Sequence, residues 1–324
     1  MPPIVCYHYP CVDGAYAALC AQAHFKGAAR FVPLTVYAAE QIRLDFAATL
    51  TGDDELYLLD FSGGAAFIAA ACARAKTVYL IDHHKTALED VAAMGAAKPA
   101  NLDTSHLDMA RSGATLALAY FNVAATLPPA LLDAFALVEA NDLWKHVPGS
   151  REYAAGLAGL RLEFDVAKNP GIFAQLRALS TPAVTAMGAA ALEAEAAIMA
   201  EEAAAAFVLE CAAPPLRCLA IVTAHPELRS GAGNLLAEAS KARGLDAAAV
   251  VAYVEKGAAP GTIKVSVRGL DGFDTTPFSR AFGGGGHAGA SSCIVAQEVF
   301  DAWRAAGAAG GDAPAKRARA EGAE

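Results

Sequence analysis

The chain has no Cys-x-x-Cys pair, no surplus of basic residues, and no basic N-terminal region leading into an apolar stretch. Its seven cysteines, an odd number, are scattered from Cys6 to Cys293. That spacing excludes a thiol cluster for a soft metal and a disulfide framework, and it suits a reducing compartment. A formal net charge of −9 speaks against a protein that grips long duplex nucleic acid, which needs a basic footprint. The opening "MPPIVCYHYP" does not read as a signal peptide, so a cytoplasmic location is expected. Charged residues are sparse at 18% and hydrophobic ones abundant at 55%, which excludes a largely disordered chain of 324 residues and allows two domains. No internal repeat is visible. The apolar run from Ala183 to Leu209 carries Glu193, Glu195, Glu201 and Glu202, which argues against a membrane-spanning helix.

What is present is an α/β alternation. Strands are predicted at Ile4–His8, Phe31–Tyr37, Glu55–Phe61 and Thr77–His83. Helices are predicted at Gly14–Phe25, Gly64–Arg74, Ser112–Phe121 and Pro129–Ala140. Continuous apolar strands between helices imply a parallel sheet covered on both faces. The expected organisation is a first domain over 1–180, a helical linker over 181–211, a smaller α/β domain over 212–303, and a Gly/Ala/charge-rich tail over 304–324. The basic cluster "PAKRARAEG" (Pro314–Gly322) reads either as a nuclear import signal or as a solubilising tail.

The strand ends carry the chemistry. Ligands of an open parallel sheet bind outside the carboxyl ends of its strands. Three predicted strands end in acids or histidines: His8 and then Asp13 in "HYPCVDGA", Asp60 in "LLDFSGG", and Asp82, His83 and His84 in "YLIDHHKTA". Asp142 in "VEANDLWKH" adds a further acid after a helix. One such aspartate is commonly a helix cap or turn residue. Jointly, the acids would repel one another unless a divalent cation lay among them, and carboxylate with imidazole suits manganese, magnesium or zinc. In the smaller domain, "FGGGGHAGASS" (Phe282–Ser292) follows "KVSVRG". Arg268, Gly284, Gly285, Gly286 and His287 together describe a phosphate-holding site, because glycine lets backbone N–H groups approach an anion closely. Arg111 in "RSGAT" begins a helix and is placed either on a substrate phosphate or in a surface ion pair. Trp144 and Trp303 read as core or interface packing, with Trp144 also placed beside Asp142 to line a cleft.

In this order the motifs resemble the DHH phosphoesterases with their DHH-associated C-terminal domain, over roughly Ile4 to Val295. The two-domain length and the glycine loop are most similar to the nanoRNase and nucleotide bisphosphate phosphatase branch. The resemblance implies a manganese-dependent phosphodiesterase or phosphatase in which metal-activated water hydrolyses short oligonucleotides, dinucleotides or nucleotide bisphosphates. It implies that His8, Asp13, Asp60, His83 and Asp142 are metal ligands, with Asp60 shared. Asp82 and His84 are implied to support catalysis, and Arg268, the glycines and His287 to hold substrate. Magnesium or zinc could stand in for manganese, and a homodimer is an assembly the family uses. One position departs from the pattern: Cys11 stands where the first aspartate of the family's D-x-D is expected. A thiolate suits zinc better than manganese. The alternative function is therefore a weakened, nucleotide-binding sensor.

Overall fold

The computed structural model describes residues 1–35 and 39–310. Val36 and Tyr37 of the second predicted strand, and the basic tail segment, lie outside the described residues. The chain divides into two compact units, Met1–Leu192 and a second starting at Glu193.

The first unit is built on a five-stranded sheet of β1 (Ile4–His8), β2 (Arg30–Leu34), β3 (Glu55–Leu59), β4 (Thr77–Asp82) and β5 (Leu102–Leu107), in the order β2-β1-β3-β4-β5. Every pairing is parallel. Alternate residues of β1, β3 and β4 feed two separate apolar layers, as the pleat requires. Val5, Tyr7, Tyr57, Leu59 and Ile81 face one layer, packed with α1 (Val12–His24), α5 (Gly113–Phe121), α6 (Pro129–Asp142), α7 (Ser150–Leu160) and α8 (Ile172–Ala178). Ile4, Cys6, Leu56, Leu58, Val78 and Leu80 face the other, beneath α2 (Glu40–Ala48), α3 (Ala65–Cys72) and α4 (Lys85–Met94). Pro33 is tolerated because β2 is an edge strand, where a missing N–H breaks no second ladder. The order of strands reverses between β1 and β3, and such a switch point opens a crevice at the strands' carboxyl ends.

The helix α9 (Thr181–Ala204) carries the boundary between the units. Among the described residues it is the one helix long and apolar enough to cross a membrane by length and composition. It is shorter than the linker expected over 181–211. The chain leaves the helix after Ala204 and forms β6 (Phe207–Ala212), because Phe207, Val208 and Leu209 belong to a strand that hairpins onto β7 (Pro215–Val222). The second unit's sheet runs β10-β11-β9-β8-β7-β6, with β8 (Ala248–Tyr253), β9 (Thr262–Gly269), β10 (Gly285–His287) and β11 (Ala290–Ala296). Only β7 and β8 pair in parallel within it. One face carries α10 (Arg229–Ala242), and the other carries α11 (Thr276–Ala281) and α12 (Gln297–Ala309). The helix α12 extends into the segment expected to be tail, because Trp303 anchors it against Phe278 and Phe282 at ring separations of 5.3 and 4.8 Å. Trp303 is thus core. Trp144 is not: it is 85% exposed and sits at φ +53° just after α6 ends, so its indole leaves the core.

Candidate metal centre

The cluster forms at the switch point. His8 ends β1, Asp60 follows β3, and Asp82 ends β4 with His83 and His84 behind it. Asp13 comes from the first turn of α1 and Asp142 from the last residue of α6. The imidazole of His83 is the hub. Its Nε2 lies 3.1 Å from Asp60 Oδ1, 3.4 Å from Asp142 Oδ2 and 3.7 Å from Asp13 Oδ2. On the other side of Asp60, His8 Nδ1 is 3.3 Å from Oδ2. The five residues expected as ligands are therefore brought together, and Asp60 touches both halves.

Asp60 adopts φ +54°, the left-handed region. For a side-chain-bearing residue this costs roughly 1–2 kcal/mol, and Asp and Asn adopt it more readily than other residues. Its backbone N–H is nonetheless paired with Ile81 O at 2.9 Å. The turn aims a fully buried carboxylate back across the strand ends. Gly113 makes room for it: a Cβ there would lie 2.5 Å from Asp60 Cβ and 2.8 Å from Oδ1. Gly14 has the same use beside His8, whose carbonyl oxygen would lie 2.3 Å from an added Cβ.

Asp13 has two tasks. Its oxygens accept the backbone N–H groups of Gly113 (2.6 Å) and Ala114 (3.1 Å), two of the donors a helix start leaves unpaired. Each carboxylate oxygen keeps a further lone pair for a cation. Glu139, which the sequence reading did not single out, supports the same helix start. It accepts from Ser112 N–H (3.3 Å) and Thr115 Oγ1 and pairs with Lys145 Nζ at 3.0 Å. Arg111 is folded back onto the Thr115 carbonyl of that turn. The motif "RSGAT" thus shows its use in the backbone N–H groups of α5. A Gly-containing helix start a hundred residues from an acid gives no sequence signal for this pairing.

The charges resist one another in the way a cation would relieve. Burial, then Asp60 and Asp142, push the Asp13 carboxyl well above its usual range. Burial also raises Asp142, against the pull of His83. Burial would raise Asp60 too, yet the imidazoles of His8 and His83 hold it down to about 2. Asp60 Oδ1 and His83 Nε2 are both buried without a hydrogen-bond partner, although close. A carboxylate oxygen and an imidazole nitrogen with unused lone pairs, aimed into one space, fit a divalent cation. Donor atoms gather in three sets: Asp13, His83 and Asp142; His8, Cys11 and Asp60; and Asp60, Asp82, His83 and His84. Cys11 therefore lies where a first-motif carboxylate would serve, and burial and the Asp60 charge push its thiol pKa up.

Asp82 organises the turn. Its Oδ1 accepts the backbone N–H of His83 (2.7 Å), that of His84 (3.0 Å) and His84 Nδ1–H (2.7 Å). The His84 pKa rises to about 9, chiefly through that last hydrogen bond. The folded value exceeds the unfolded one of about 6.5. In the metal-free chain the pair's stabilisation is therefore complete below pH 6.5 and is lost as pH rises through about 9. Asp82→Asn is expected to bring the His84 pKa down towards 6.5 and to flatten the pH dependence of the urea midpoint between pH 6 and 10. An imidazole NMR titration of the metal-free variant checks this, and an unmoved pKa would remove Asp82 from the role.

In the second unit, Arg268, Gly285 and Gly286 line a cavity of about 710 Å³; Arg229 and Lys256 add positive charge, Glu227 opposes it, and Lys264 is paired with Glu255. Arg268 lies along Gly233 of α10, and its guanidinium donates to Ser230 Oγ at 3.2 Å. Burial and the nearby Arg229 charge lower its pKa, a repulsion that an anion between them would relieve. The second half of the glycine run, Gly285 and Gly286, lies in β10 rather than in a free loop. Added Cβ atoms at Gly284 and Gly286 would meet Ser292 O at 2.0 Å and Ala290 O at 2.5 Å, so both glycines serve close pairing with β11. Gly284 and His287 do not line the cavity, and His287 is exposed.

No family profile matches the chain, and no curated protein does. Solved structures do resemble it. A pGpG-specific phosphodiesterase, PggH, from Vibrio cholerae matches with TM-score 0.47 and 13% identity over 94% of this chain and 97% of its own. CDC45 from Entamoeba histolytica matches with TM-score 0.45 and 11% identity, over 94% of both chains. An exopolyphosphatase-related protein from Bacteroides fragilis matches with TM-score 0.36 and 12% identity over 90% of this chain and 86% of its own. At these values the likenesses transfer no chemistry, and the site stands on this chain's own residues.

Proposed function

We propose that the protein is a metal-dependent phosphoesterase acting on small nucleotides: short oligonucleotides, dinucleotides or nucleotide bisphosphates. The observation that carries the reading is the convergence of His8, Asp13, Asp60, His83 and Asp142 on one crevice, with Asp60 Oδ1 and His83 Nε2 buried and unpartnered.

Asp13, His83 and Asp142 would hold one cation and His8, Cys11 and Asp60 a second, with Asp60, 3.1 Å from His83, available to the first as well. A bound divalent ion would supply an activated water and neutralise charge on a phosphoryl oxygen. The chain's own groups do the rest. Asp82 fixes the His84 ring, and the ring nitrogen not bonded to Asp82 would be placed to assist proton transfer to the departing ester oxygen. Asp13 ties the centre to α5, so that the carboxylates keep their places when substrate binds. The second unit's cavity around Arg268 and Arg229 would, taken by itself, bind a phosphate group. The native ion is proposed to be manganese, with magnesium or zinc as substitutes.

The test is release of mononucleotide from pApA and of phosphate from a 3′,5′-bisphosphate nucleotide, with manganese, magnesium and zinc in turn. Turnover that depends on metal and is lost in Asp82→Ala supports the reading. Tight nucleotide binding with no turnover under any metal supports the second reading, a nucleotide sensor, which Cys11 favours. The protein-bound ion count separates the two further. Cys11→Asp exchanges a sulfur donor for an oxygen donor and is expected to raise manganese affinity relative to zinc. Competition titration measures that ratio, and an unchanged ratio would show that Cys11 is no ligand.

A further inference from the structure

Trp144 is the most exposed large aromatic side chain described, and it is also one of the few non-glycine residues in the left-handed region. Both features are unfavourable for a residue with a merely packing role, and they fall two residues after Asp142, a member of the metal cluster. Two steps of chain span at most about 7.6 Å between Cα atoms.

The backbone around the indole is fixed although the indole itself is free. Trp144 N–H donates to Asn141 O (3.3 Å), Lys145 N–H to Ala140 O (2.8 Å) and Val147 N–H to Lys145 O (2.8 Å). Lys145 Nζ bridges Glu139 (3.0 Å) and the carbonyl of Ala110 (3.1 Å). An aromatic plane held out in solvent by a fixed turn needs little reorganisation to receive a flat ligand.

The surroundings choose the ligand. A recess of about 290 Å³ opens on Cys11, Asp13, Asp142 and Tyr153, with Asn141 in its wall. Asn141 is also in the wall of a groove of about 640 Å³ formed with Trp144, Lys145, His146 and Arg151. The volume suits a small molecule, and Asn141 is common to this groove with its aromatic face and to the recess that reaches Asp13 and Asp142. We propose that Trp144 is a specificity-determining residue that stacks the nucleobase attached to the scissile phosphate. Arg151 lines the groove beside Glu152, and Lys145 is already held by Glu139, so the aromatic face rather than net charge distinguishes the groove. The proposal rests on the phosphoesterase reading for the position of the scissile phosphate, but the stack itself can be observed without turnover.

The chain has two tryptophans, and Trp303 is only 8% exposed, so nucleotide-sensitive fluorescence reports on Trp144. The experiment titrates the full-length protein with AMP and with ribose 5-phosphate, which lacks the base, and compares Trp144→Phe and Trp144→Ala. AMP is expected to quench the wild type and ribose 5-phosphate to leave it unchanged. The quench should vanish in Trp144→Phe, where Trp303 alone remains. Trp144→Ala should weaken AMP binding, and raise KM for pApA more than it lowers kcat, by about 5- to 150-fold, the worth of one base–aromatic stack. Trp144→Phe should recover most of that loss. Equal quenching by both probes, or AMP binding and KM unchanged in Trp144→Ala, overturns the proposal. So does a change of assembly state in Trp144→Ala with nucleotide binding intact, which would make the indole a protein contact. Quench without turnover upholds the stack and rejects the hydrolase; turnover without quench does the reverse.

Discussion

Asp60→Asn is expected to fold and to lose the metal centre. Asparagine tolerates the left-handed backbone that Asp60 adopts and has nearly the same shape, so the turn after β3 is kept. The charge is what goes. Asp60 belongs to the His8 and Cys11 set and lies 3.1 Å from His83 of the other, and it is the carboxylate that neighbouring imidazoles hold ionised. Losing an outer partner of a metal ligand already costs about 10–100-fold in affinity or activity. Loss of a ligand shared by two ions should therefore exceed about 100-fold in kcat/KM. Burial lowers the His83 pKa and Asp60 raises it, so removing the Asp60 charge shifts His83 towards its neutral form rather than against it. The metal-free variant should melt close to the metal-free wild type. With metal at a hundredfold excess over its dissociation constant, the wild type should gain about 2.7 kcal/mol, and the variant almost none. Equal metal-dependent stabilisation of the two proteins would remove Asp60 from the centre.

Gly113→Ala is expected to disable the same centre without touching a ligand. The added methyl would press within 2.8 Å of the Asp60 carboxylate oxygen, and it has nowhere to go, because the Gly113 N–H is held by Asp13. Either Asp60 rotates away or the start of α5 moves and takes Asp13 with it. Overpacking of this kind costs about 1–3 kcal/mol of stability. The displaced carboxylate should lower metal affinity about 10–100-fold. Gly159→Ala, at an open helical position with only Met187 Cε at 3.8 Å, is the control and should stabilise by about 0.4–1 kcal/mol. Thermal melts and metal titrations of both variants decide this. Unimpaired metal affinity in Gly113→Ala would mean that Asp60 does not sit where its packing places it.

These two variants mark where the sequence could be read and where it could not. The strands β1, β3 and β4 are unbroken apolar runs ending in acid or imidazole, so the sheet core and the residues at its edge were both visible in the pattern. The edge strand β5, "LDTSHL", is polar and half-exposed and has no such signature. The strand β6 was hidden because it follows an Ala/Glu-rich helix with no proline or glycine between them. Its partner β7 supplies the evidence through pairing, which no local window contains. The glycine run looked like an anion-binding loop, yet two of its members are glycine because a neighbouring strand passes too close for any side chain. Glu139 and Gly113 escaped for a related reason. They act through backbone N–H groups and through space left empty, and neither leaves a residue-type signature at a fixed spacing. Trp144 was legible as a neighbour of Asp142, but its exposure depends on where α6 ends and how the chain turns after it.

The central claim is that the acids and imidazoles at the ends of β1, β3 and β4 form one metal-dependent hydrolytic site. It is tested most directly by counting ions bound per chain and measuring pApA hydrolysis in the same preparation, for the wild type and Asp60→Asn. The account predicts bound divalent metal and turnover in the wild type, with both lost together in the variant. Hydrolysis that persists in Asp60→Asn, or in protein stripped of metal, would contradict it.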